Sequence, residues 1–158
     1  MAAWVSARAE VSISFADKGT SIAAIGGPEG RLPLWLAGRL EVRRVPGAVV
    51  LSADPATPVT DYARWARRAV VQSRAVLGGR ARLVVEVPSD KEMLHRVLGL
   101  SRDEYAAIAA VTAPVDGSRA PGTPIHVFVN PEVYGDLDPV ASQVVMTHEA
   151  VHAVTGAV

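Results

Sequence analysis

The sequence predicts an α+β fold: an N-terminal antiparallel β-meander, then a mixed sheet carrying helices, closed by a C-terminal helix. Three observations carry this. Strand-type alternation dominates as far as Asp54, helix-start signals appear from Thr57 onward, and the final run from Val140 to Thr155 has a cap before it and a glycine after it.

Val11, Ile13 and Phe15 alternate with Ser12 and Ser14, the period-two pattern of a strand with one core face and one solvated face. Further strand-like runs at Ser21 to Ile25, Leu34 to Val45 and Ala48 to Ser52 are separated by Gly26-Gly27-Pro28, Glu29-Gly30 and Pro46-Gly47 turns. A domain boundary is expected near residue 55, dividing a β-rich segment, 1–55, from a second unit, 56–158. There Asp54-Pro55-Ala56-Thr57-Pro58 breaks the pattern, with Thr57 suited to cap a helix and Pro58 to its first turn. That helix runs to about Leu77, with Tyr62, Trp65, Ala69, Val70, Val76 and Leu77 available for burial and Arg64, Arg67, Arg68 and Arg74 left to solvent, and stops at Gly78-Gly79.

Arg82 to Val87 reads as a strand. Ser89-Asp90-Lys91-Glu92 reads as a capping box opening a short helix through Leu98, and Ser101-Arg102-Asp103-Glu104 repeats the pattern for a helix to about Ala109. Ile125 to Val129 is a second strand. Asp138 as cap, Pro139 in the first turn and Gly156 as stop then bound a helix of roughly four turns.

Composition excludes several functions. There is no cysteine, hence no disulfide framework, thiolate zinc site or cysteine nucleophile. The formal charge is zero, which argues against a nucleic-acid partner, and no apolar stretch approaches membrane-spanning length. No signal peptide is read at the start, so the compartment stays open; secretion or a cell-envelope location for a longer parent protein would need signals outside this chain.

The chemistry lies on the last helix. His148-Glu149-Ala150-Val151-His152 places two imidazoles four residues apart, on one side of an α-helix and about 6 Å apart along its axis, where both can reach one metal ion. Glu149, turned about 100 degrees from His148, stands beside such an ion and suits the role of general base. Zinc lowers the pKa of a bound water toward about 7, so a neighbouring carboxylate can take its proton, direct attack on a peptide carbonyl and return the proton to the leaving amine. Two histidines and a glutamate on an otherwise apolar helix cost desolvation without partners, which favours a metal site over a chance motif.

Thr147-His148-Glu149-Ala150-Val151-His152-Ala153-Val154-Thr155-Gly156 resembles the active-site helix of gluzincin-type zincin metallopeptidases, especially the peptidase-MA-like proteins of bacteria, over about residues 56–158. The resemblance implies Zn²⁺ as cofactor, His148 and His152 as its ligands, Glu149 as the catalytic base and a peptide or protein substrate. It also implies an edge strand along which substrate pairs, expected at Ile125-His126-Val127-Phe128-Val129 with Pro124 before it, so that Ile125, His126 and Val127 are candidate substrate-binding residues. A third ligand, a glutamate on a later helix, is implied as well. The chain ends six residues after His152, and the expectation is a fragment with weak or absent zinc binding, no proteolysis, and self-association through apolar surface left bare. The N-terminal strands resemble the last strands of an NTF2-like domain, though a plain β-meander fits them equally.

His126 reads as a half-solvated strand histidine, His95 as a surface one, and Asp116 or His126 as substitutes for the third ligand only by departing from the family. The alternative function is a non-catalytic binding or structural module on a zincin-like scaffold.

Overall fold

The structure, a computed structural model, describes residues 11–26, 31–100, 107–118 and 120–157. The fold is α+β, with a two-stranded antiparallel sheet, a mixed five-stranded sheet and a C-terminal helix. Strands β1 (Ser12–Ala16) and β2 (Ser21–Gly26) form the small sheet across a turn in which Asp17 and Lys18 take positive φ. The period-two pattern gives a strand here, as expected, but Ile13, Phe15 and Ile22 are exposed, since the hairpin joins no larger sheet.

The run expected as strand from Leu34 instead begins with a single helical turn, α1 (Leu34–Ala37), whose Leu34 is fully buried. Strand β3 (Glu41–Val45) then pairs antiparallel with β4 (Ala48–Ser52) over Pro46-Gly47. Gly47 has φ +83°, and a side chain there would meet Val70 Cγ1 at 2.7 Å, so both the turn and the overlying helix require glycine.

Helix α2 (Val59–Leu77) crosses from β4 to its parallel neighbour β5 (Leu83–Val87). Consequently β3 and β4 share one sheet with everything that follows, and this sheet spans the boundary expected near residue 55. Thr57 does not cap α2. Asp54 organises the entry, its carboxylate accepting from Ala56 N, Thr57 N and Tyr62 Oη. Helix α3 (Lys91–Leu98) is capped by Asp90, which accepts from Met93 N at 2.7 Å, one residue later than the Ser89 expectation; Ser89 Oγ donates to Asp90 instead. The second capping box, Ser101 to Glu104, lies outside the described residues.

Strand β6 (Ala110–Pro114) and strand β7 (Ile125–Val129) complete the sheet in the order β3-β4-β5-β7-β6, with the three central strands parallel and both edges antiparallel. After the short α4 (Pro131–Gly135), α5 (Pro139–Thr155) has the expected bounds. Asp138 Oδ1 accepts from Val140 N and Ala141 N, Pro139 fills the first turn and Gly156 ends the helix in the left-handed region. Helices α2 and α5 pack together on one sheet face over Val50, Val85, Val127 and Val129, while α1 and α3 cover the other over Phe128 and Leu51. Among the described residues no helix is long and apolar enough to cross a membrane.

Candidate metal centre

Helix α5 buries Met146 and Ala150 against the sheet and turns His148 outward, with His152 half-buried one turn on. The two Nε2 atoms stand 3.1 Å apart. That is hydrogen-bond distance, and it is close to the about 3.3 Å that two nitrogens would span on one tetrahedral zinc at bonds of ~2.0–2.1 Å. The end of the helix sets the tautomer. Left-handed Gly156 folds the chain back so that Ala157 N reaches His152 O, and the Ala157 carbonyl lies 2.7 Å from His152 Nδ1. A carbonyl only accepts, so Nδ1 carries the hydrogen, and the His152 Nε2 lone pair accepts from His148 Nε2–H, the bond that a metal ion at this point would replace.

Glu149 is turned inward, only 9 % exposed, toward β6. Thr112 Oγ1 lies 2.7 Å from its Oε2 and 3.0 Å from its main-chain carbonyl. One oxygen of the carboxylate is thereby held, and among the described residues the other, Oε1, has no hydrogen-bond partner. Thr112 was not singled out from sequence, where it is one threonine in an apolar strand; the signal lies in the pairing of β6 with α5.

The expected edge strand is corrected. Strand β7 is interior, flanked by β5 and β6, and among the described residues the free edge beside α5 belongs to β6. Bonds from Val115 N to Pro124 O and from Asn130 N to Ala109 O direct the odd-numbered backbone groups of β6 at β7. Alternation along an antiparallel pair therefore leaves those of Ala110 and Thr112 facing the free edge. Of the three residues expected on the edge, Val127 is buried beneath α2 and α5, and Ile125 lines a groove of about 680 Å³ along β6 with Thr112, Pro114 and Gly156.

His126 is neither half-solvated nor near the two histidines. It points to the sheet face covered by α3, is 2 % exposed, and its Nδ1 lies 2.6 Å from Glu86 Oε1, itself buried. That face cannot contribute a ligand to a site on α5, and Asp116 is engaged in its own turn, accepting from Ser118 N. His95, expected at the surface, is 6 % exposed among α3's buried residues. Among the described residues no three His, Cys, Asp or Glu side chains group around one point, so His148 and His152 stand as a pair. Comparison with family models, characterised proteins and solved structures returns no significant match.

Proposed function

We propose that α5 carries the water-activating half of a gluzincin-like zinc peptidase site, with His148 and His152 as ligands and Glu149 as general base. The observation that carries this is the convergence of the two Nε2 atoms at 3.1 Å, with the His152 tautomer held by the Ala157 carbonyl. Zinc held there would supply Lewis-acid polarisation of a carbonyl and an acidified water.

The protein's own groups supply the rest. Thr112 holds Glu149 Oε2, so Oε1 is the oxygen that accepts a proton from water and later returns it to the leaving amine. The free edge of β6, with the Thr112 N–H and C=O directed outward, offers an extended substrate backbone a strand to pair with beside that carboxylate. This role moves from β7, where the sequence placed it, to β6.

Two imidazoles fall short of the three protein ligands of a catalytic zinc site, so the described residues alone are expected to bind zinc more weakly than micromolar. Calorimetric titration with Zn²⁺ tests this. The expected result is weak one-to-one binding abolished by His148→Ala and by His152→Ala; binding that both variants retain would place the metal elsewhere and sink the proposal.

A further inference from the structure

A second concave surface lies at the opposite edge of the sheet. A groove of about 560 Å³ between β3 and α2 is lined by Arg43, Arg64, Arg67 and Arg68, with Thr60 and Gln72 among its other residues. The β3–β4 register pairs Arg43 with Val50, a core residue beneath α2, so Arg43 faces the helix that bears the other three arginines. We infer that this groove binds a ligand bearing linked phosphate groups, at a site separate from the metal centre and independent of the reading given to it.

Charge segregation is the first argument. The chain is formally neutral, with 16 basic and 16 acidic residues, yet four guanidinium groups and no carboxylate line this groove. The carboxylates on the two elements are Glu41 and Asp61, and neither lines it; Asp61 pairs with Arg64 at 2.9 Å. Arg64 also lies 5.6 Å from the Trp65 ring. Among the described residues Arg43, Arg67 and Arg68 have no ion-pair or hydrogen-bond partner. Moreover, Arg64 is three residues from Arg67 and four from Arg68, spacings at which like charges work against a helix. Folding alone gives no reason for that arrangement, whereas an anion in the groove relieves it.

The density of charge selects the ligand. Guanidinium matches phosphate with paired N–H donors and is weakly hydrated, so several can close on one polyanion. An extended acidic peptide presents carboxylates on one face only about every 7 Å, too sparse for four cations in a groove this small. A diphosphate concentrates its oxyanions within a single linkage. Thr60 adds a hydroxyl, and Gln72, whose Oε1 accepts from Thr147, keeps its Nε2 as a further donor.

Calorimetry of the full chain at low ionic strength, with inorganic pyrophosphate as probe, hexaglutamate as control and R67Q/R68Q as variant, tests the inference. Pyrophosphate should bind one-to-one, more tightly than hexaglutamate, and R67Q/R68Q should weaken it at least about tenfold while unfolding at an unchanged or higher temperature. Cardiolipin vesicles, whose headgroup links two phosphates through one glycerol, separate two sources of the same chemistry. Retention of the protein on them, released by pyrophosphate, identifies a lipid headgroup, and pyrophosphate binding without retention identifies a soluble phosphate ligand. Absence of pyrophosphate binding, equal binding of hexaglutamate, or full binding by folded R67Q/R68Q overturns the inference.

Discussion

The protein holds two histidine sites on opposite faces of one sheet, and they differ in what their nitrogens can still do. On α5, His148 and His152 point outward with their Nε2 atoms converging, and one ring is fixed by a main-chain carbonyl. Beneath α3, His126 is sealed against Glu86 with both side chains almost fully buried. A ring whose nitrogens lie outside the core is open to an external ligand, whereas a buried ring closed on a carboxylate is not. Motif spacing alone does not separate these cases; the sheet face does.

The sharpest way to break the comparison is to open the buried pair. Glu86→Ala should destabilise the protein by about 1–3 kcal/mol in urea unfolding, because removing one partner leaves the other's polar atom buried and unpaired. The double substitution to leucine, E86L/H126L, should cost much less. If the single variant lost less than the double, the pair would not be the structural device described here.

The next effect is on pH. Burial raises the pKa of Tyr62, with Asp54 adding to the rise, and burial alone raises that of Tyr134, both well above the ordinary tyrosine value. The unfolded chain releases these protons near pH 10 while the folded one holds them. Stability is therefore fully present below about pH 10 and falls as pH rises above it, by up to about 1.4 kcal/mol per pH unit for each tyrosine. Tyr134→Phe should flatten that slope in alkaline unfolding measurements; His148→Ala, at an exposed position on α5, should leave it unchanged.

Smaller effects sharpen the open site. Thr112→Val should cost about 1 kcal/mol of stability in thermal unfolding, through the lost bond to Glu149, and leave weak zinc binding intact. His148→Ala should change stability by less than about 0.5 kcal/mol while abolishing that binding, as expected of an exposed residue outside the packing.

What was legible in the sequence was local. Helix α5 is bounded by Asp138, Pro139 and Gly156, all acting within a turn, and the histidine spacing fixes their common side. Strand identity at Ile125 to Val129 was legible too, but its position was not. Whether β6 or β7 takes the edge depends on pairings between strands distant along the chain, and the parity that buries His126 follows from the same register. Leu34 to Ala37 misled because a short apolar run fits a strand or a helical turn equally well. The shift of a cap from Ser89 to Asp90 has a simple cause: adjacent residues offer the same acceptor chemistry, and only the observed helix start decides.

The central proposal is that His148 and His152 take a metal through Nε2 while His126, buried against Glu86, does not. Long-range proton–nitrogen spectra of histidine-labelled protein, recorded before and after addition of Zn²⁺, test it directly. Without zinc, His152 should be the Nδ1–H tautomer; with zinc, the Nε2 signals of His148 and His152 should shift together while those of His126 stay in place. An Nε2–H tautomer at His152, or a zinc-induced shift at His126 with none at the α5 pair, would contradict the account.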